Sequence, residues 1–123
     1  MEEITTPAQV ISELNILMAR SVKGISLMYE QEVTVAELDN AYERDLALGL
    51  LNAGDDLSPD VQKKLTAPEK QAIARLKASE SKLALDLAKA QLNRIKATLK
   101  KVDTAIMATG MIGKQVELQW RNA

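Results

Sequence analysis

KLALDLAKAQLNRIKATLKKVDTAIMATGMIGKQVELQW, residues 82–120, is the stretch that decides the fold. Its apolar and small residues fall at Leu85, Ala88, Leu92, Ile95, Leu99, Val102, Ile106, Thr109, Gly113, Val116 and Trp120, in steps of three and four without a slip. That spacing marks one face of a helix, and the period of two that a strand requires is absent. No Pro occurs between Glu69 and Trp120. The pattern therefore predicts one helix of about 52 residues, ~78 Å at 1.5 Å per residue. A compact small domain cannot cover a helix of that length, so its stripe calls for a second helix lying along it.

The first half of the chain supplies that helix. Val10, Leu14, Leu17, Ser21, Ile25 and Met28 repeat at three and four, and Val35, Leu38, Tyr42 and Leu46 continue the phase. Three helix starts carry the same capping-box pattern, T-x-x-E/Q: Thr6…Gln9, Thr34…Glu37 and Thr66…Glu69. In each, the Thr oxygen can accept from a free amide and the Glu or Gln can return a bond to the Thr amide. Pro7 stands at a first helical position, where its missing N–H is harmless. Thr34 either starts a second helix or lies inside one long helix, and the matching phase favours the long one. Gly24 inside it costs ~1 kcal/mol relative to Ala. Gly54 fits the left-handed residue after a helix end. Ser58-Pro59 then starts a short helix running to Leu65. The expected layout is one helical domain over 1–123: arm one about 7–53, connector 54–66, arm two about 67–121. The fold class is all-α, an antiparallel long-helix hairpin of coiled-coil type, multimerised into a helical bundle.

Composition agrees. Apolar residues make up 46% of 123, enough for a folded core, but the aromatics are only Tyr29, Tyr42 and Trp120. A core of Leu, Ile, Val, Met and Ala suits helices. The chain has no Cys and no His. Disulfides, zinc–thiolate sites, thiol nucleophiles and the usual general base near neutral pH are thereby excluded. The acidic start MEEITTPAQ lacks the blocks of a signal peptide, and no apolar run reaches the ~20 residues that cross a bilayer. A cytoplasmic location without membrane contact is the expectation.

The net charge of −1 hides an asymmetry. Residues 1–61 hold three basic against twelve acidic side chains, net −9; residues 62–123 hold thirteen against five, net +8. With Leu85, Leu92 and Leu99 as heptad position a, Arg75, Lys82, Lys89 and Lys96 occupy e. With Met28 and Val35 as a, Glu32 and Asp39 occupy e. In an antiparallel pair e faces e, so a basic flank would meet an acidic one and set register, at only ~0.2–1 kcal/mol per exposed pair. The two arms belong to the same chain or to different chains.

Four features invite a functional reading. Asp55, Asp56 and Asp60 could offer oxygens to Mg²⁺ or Ca²⁺, but the alternating ligands, central Gly and closing Glu of a calcium loop are missing. Aspartates at a helix–helix joint have a simpler cause in the helix dipole. Ala108–Gln115 brushes against the P-loop pattern, yet ends in Gln115 instead of Ser or Thr and follows no strand. Gly110 and Gly113, one turn apart, better suit a close helix approach or a kink. Met107, Met111, Ile112 and Trp120 fit either a partner surface or a core, within the hairpin or between subunits, and the core fits better. Lys89, Arg94, Lys96, Lys100 and Lys101 form a positive band that could grip phosphates. No aromatic is interleaved to stack on bases, and no helix-turn-helix pattern is present.

The block 82–120 is preceded by YERDLALGLLNAG and a polar connector. Over about residues 42–120 this resembles small helical accessory proteins from the early regions of tailed-phage and prophage genomes. Those are often encoded beside single-strand annealing recombinases or single-strand-binding proteins. The likeness lies in an Ala/Lys-rich arm, a polar linker and a long helix with a Trp near its end. It implies a setting in phage DNA recombination or replication and carries over no catalytic residue. The resulting expectation is a non-enzymatic, cofactor-free, homo-oligomeric protein acting through protein contacts, in DNA metabolism or by blocking a host factor. The alternative is nucleic-acid binding through the basic helix.

Overall fold

The computed structural model describes residues 6–122, and each regular element in that range is an α-helix. The capping boxes at Thr6 and Thr66 form as their sequences dictate. Gln9 N donates to Thr6 Oγ1 at 3.3 Å while Thr6 N donates to Gln9 Oε1 at 3.1 Å. Helix α1 follows, Pro7–Leu51. It runs through Thr34 without interruption, so the Thr34…Glu37 pattern starts nothing. The common apolar phase on both sides outweighs that local signal. Met1, Glu2 and Glu3, on which the signal-peptide reading partly rests, lie outside the described residues.

Past Leu51 the chain turns, and Gly54 takes φ +85°, the left-handed conformation its position requires. Lys77 Nζ donates to Asn52 O at 3.3 Å, placing a cation at the carbonyl end of α1. Helix α2, Pro59–Lys64, starts on Pro59 after an extended Ser58 whose hydroxyl makes no capping bond. Gln62 fastens this joint, its Nε2 donating to Leu57 O at 3.2 Å and to Gly54 O. Thr66 then caps α3, Ala67–Lys77: Glu69 N donates to Thr66 Oγ1 at 3.3 Å.

The single 52-residue helix is corrected here. Ala78 leaves helical geometry at φ −92°, ψ 10°, and separates α3 from α4, Ser79–Arg121. The interruption is one residue deep, since Ala78 N still donates to Ala74 O and Lys82 N to Ala78 O, each at 3.0 Å. It falls where Ala74 and Ala78 are only 1% exposed. There is no Pro or Gly at the spot to announce it.

The helices form two compact units, Gln31–Leu92 and Met1–Glu30 with Asn93–Ala123. In Gln31–Leu92, α1 runs antiparallel to α3 and α4, and the connector joins them. Gly49 meets Ala74, Asp45 meets Ser81, and Gln31 meets Ala88. In the other unit Val10 meets Gly113 and Gly24 meets Leu99, again antiparallel. Among the described residues, Ala74, Ala78, Leu85 and Ala88 are buried within Gln31–Leu92, and Val10, Leu17, Thr109 and Val116 within the other unit.

Candidate interaction surfaces

Most buried and half-buried residues of α1 follow a strict heptad, Val10, Leu14, Leu17, Ser21, Gly24, Met28, Gln31, Val35, Leu38, Tyr42, Asp45 and Gly49, with the half-buried Glu13, Ala41 and Leu46 beside it. Four of these, Gly24, Gln31, Asp45 and Gly49, escape an apolar reading of the sequence. The neighbouring Ile25, expected in the stripe, is exposed. Gly24 and Gly49 are there because α4 and α3 come close. A Cβ at Gly24 would stand 2.5 Å from Leu99 Cδ2, and one at Gly49 would stand 2.9 Å from Ala74 Cα. Gln31 and Asp45 hold polar bonds across the seam. Gln31 Nε2 donates to Ala88 O at 3.1 Å, and Ser81 Oγ donates to Asp45 Oδ2.

The charged flanks behave differently from the expected ladder. Glu32, Asp39, Arg75, Lys89 and Lys96 are exposed, and among the described residues none has an ion pair across the arms. Lys82 pairs with Asp86 of its own helix at 3.3 Å, and its Nζ stands 5.2 Å from the centre of the Tyr42 ring on α1. Exposed ion pairs gain little over hydration, whereas the seam polar groups are part-buried and keep their partners. Among the described residues, the polar contacts across the seam in Gln31–Leu92 are therefore hydrogen bonds and not ion pairs.

The acidic joint offers no cluster: Asp55, Asp56 and Asp60 are exposed, and no group of three His, Cys, Asp or Glu among the described residues could hold a metal ion. Residues 108–115 are helical throughout. Their amides are committed to the helix and cannot cradle a phosphate as a P-loop does.

Arg94, Lys96, Lys100 and Lys101 are exposed, as is Lys89 in the other unit. They divide by heptad position. Lys96 and Lys100 sit at e and b, where with Ser21, Ile25, Met28 and Asp103 they line a groove of about 340 Å³. Arg94 and Lys101 sit at c, on the outer side of α4.

The apolar candidates near the end of α4 face outward. Met107 is 71% exposed, Met111 68% and Trp120 59%, with Ile112 the least exposed of the four. The core role within the hairpin is corrected accordingly: Ile106, Thr109, Gly113 and Val116 fill the seam there. Positions between seam residues are left to solvent because two helices enclose only one stripe of each. Ile11, Met18, Val22 and Tyr29 of α1 are likewise exposed. A groove of about 520 Å³ runs between the start of α1 and the end of α4, lined by Ile11, Leu14, Gly110, Gly113, Glu117 and Trp120 among others. Among the described residues no helix is long and apolar enough to cross a membrane. No protein-family model, curated protein or solved structure matches the chain.

Proposed function

We propose that the chain is a non-enzymatic, phage-type accessory protein that self-associates and acts through helical protein contacts, in DNA recombination or replication or by blocking a host factor. The observation that supports this reading is the number of large apolar side chains that the seam leaves exposed, Ile11, Met18, Val22, Met107, Met111 and Trp120 foremost. Large apolar side chains left exposed in this number suit an interface. The cytoplasm is where such a protein would work. Affinity capture of the tagged chain from host cells, read by mass spectrometry, tests the reading. A DNA-metabolism protein retained by the wild type and lost from Met107→Glu is the expected result. Equal recovery with both would overturn it.

A second reading has its own support in the exposed Arg94, Lys96, Lys100 and Lys101. Phosphate contacts made by these side chains would give binding that falls steeply with salt. A gel shift at low salt that weakens with Lys100→Glu/Lys101→Glu is expected of it, and no shift at about 50 mM salt removes it.

A further inference from the structure

We infer that, in the unit formed by Met1–Glu30 and Asn93–Ala123, the side on which Lys96, Lys100 and Lys114 stand is a docking groove for an acidic amphipathic helix of a partner protein. The inference rests on the adaptor reading above and names the chemistry of the partner.

Apolar and charged groups are segregated on this side, one helix to each. In an antiparallel pair the e flanks of the two helices share a side. Within the unit, heptad positions e and b of α1 carry no charge from Ala8 to Tyr29, and Ile11, Met18, Val22, Ile25 and Tyr29 among them are exposed. The same positions of α4 carry Lys96, Lys100, Asp103 and Lys114, then Glu117 and Arg121. The opposite side also exposes apolar residues, but there Ile16 and Leu27 stand among Glu13, Arg20 and Lys23 of the same helix. Segregation, not apolar exposure as such, distinguishes the two sides.

Two grooves lie on the segregated side. Ile25, Met28, Lys96, Lys100 and Asp103 border the one of about 340 Å³. Ile11, Leu14, Gly110, Lys114 and Trp120 border the one of about 520 Å³. Each combines an isoleucine at e of α1 with a lysine at b of α4. Lys100 and Lys114 are two heptads apart, ~21 Å along the helix. A helix laid beside the seam can reach both, as the third member of a bundle does.

Charge selects the occupant. Arg121 neutralises Glu117 at 3.0 Å, whereas Lys96, Lys100 and Lys114 have no ion pair among the described residues. Lys96 and Lys100, four apart on one helix, repel each other, and this side of α1 sets no carboxylate opposite them. A helix with an apolar stripe and an acidic flank covers the α1 wall and neutralises the α4 wall together. Asp103 shares the groove with Lys96 and Lys100. A nucleic acid or an anionic membrane would press continuous negative charge against it, while a helix can set a neutral residue there.

A peptide of about three heptads, with leucine at two positions of each, glutamate along one flank and no tryptophan, tests the inference against a twin carrying lysine for glutamate. Each is labelled with fluorescein and titrated with the full chain by fluorescence anisotropy. The acidic peptide should bind at least about tenfold tighter than its twin. Lys96→Glu/Lys100→Glu should weaken it about tenfold or more. Lys101→Glu, at c on the outer side of α4, should change it less than about twofold. Far-UV circular dichroism should match the wild type throughout, because all three lysines are exposed. With unlabelled acidic peptide the emission of Trp120, the chain's only tryptophan, should move to the blue. No binding, equal binding of the two peptides, or indifference to Lys96→Glu/Lys100→Glu overturns the groove as a site for an acidic helix. Tighter binding of an about 20-nucleotide single strand or of phosphatidylglycerol vesicles overturns the helix as occupant. The adaptor reading survives each of these failures, since its capture test does not depend on the partner's charge.

Discussion

The same substitution, Gly→Ala, should have opposite signs at Gly49 and Gly110. Both glycines lie inside long helices, so intrinsic propensity alone stabilises either alanine by ~1 kcal/mol. At Gly110 nothing opposes that gain, because the added carbon has nothing within 4 Å. At Gly49 it would stand 2.9 Å from Ala74 Cα, 3.1 Å from Ala74 Cβ and 3.3 Å from Ala74 O. Two of those atoms are backbone and cannot swing away as a side chain would. Comfortable carbon contacts begin near ~3.5 Å, so α1 and α3 would have to separate by about half an ångström or more. That loosens the contacts of Ala74 and Ala78, both buried. Overpacking of this type costs ~1–3 kcal/mol. The net expectation is a loss of up to ~2 kcal/mol for Gly49→Ala and a gain of up to ~1 kcal/mol for Gly110→Ala. Urea unfolding followed by circular dichroism measures both. Dilute protein is needed, since association stabilises the folded chain by mass action. A Gly49→Ala variant stabilised as much as Gly110→Ala would show that the helices are not held together at this crossing, and the small-residue account of the seam would fail.

Other substitutions separate the seam from the surface. Leu85→Ala empties a site that is 1% exposed and should destabilise by ~2–5 kcal/mol. Leu83→Ala, two residues away and well exposed, should stay within ~0.5 kcal/mol in the monomer. Equal losses in urea unfolding would contradict the assigned face. Gly54→Ala forces φ +85° on a residue with a Cβ and brings that atom to 2.7 Å from Leu65 Cδ1. A loss of ~1–3 kcal/mol is expected, and thermal melting no different from wild type would refute the strain.

Much of the architecture was legible because its signals are local and redundant. Thr6…Gln9 and Thr66…Glu69 read as helix starts, Gly54 as a left-handed residue and Ser58-Pro59 as a short helix, and each occupies that place. The seam was legible only where it is apolar. Gly24, Gln31, Asp45 and Gly49 hold seam positions by geometry, and a search for apolar residues shifts to neighbours such as Ile25. The strict alternation 10, 14, 17, 21, 24, 28, 31, 35, 38, 42, 45, 49 would have found them, since it ignores residue type. Ala78 gave no warning at all. For the interaction surfaces, Met107, Met111, Ile112 and Trp120 stood out by type, but apolar residues at adjacent positions such as Ile106 and Met107 cannot both enter one narrow seam. Which one does depends on the register of the opposite helix, a long-range fact.

That register is what the polar seam residues settle. Leucine against leucine satisfies an antiparallel pair in any heptad-shifted alignment, so apolar packing alone chooses weakly among them. Within Gln31–Leu92 a shift of seven residues would set Asp45 opposite Ala74 or Ala88 instead of Ser81, leaving a half-buried carboxylate without its hydroxyl donor. The close approach at Gly49 does not discriminate, because Ala67 or Ser81, both small, would take the place of Ala74. A hydrogen bond to a charged acceptor contributes ~1.5–3 kcal/mol when buried. The Asp45 side borders an open groove with Asn52 and Lys77, so water offsets part of this and ~1 kcal/mol is the better figure. A double-mutant cycle of Asp45→Ala and Ser81→Ala should therefore return a coupling of about 1 kcal/mol. Zero coupling would mean that the hydroxyl–carboxylate contact does not discriminate between alignments. Selection would then have to come from the apolar side chains of the seam, because Gly49 meets a small residue in either shifted alignment.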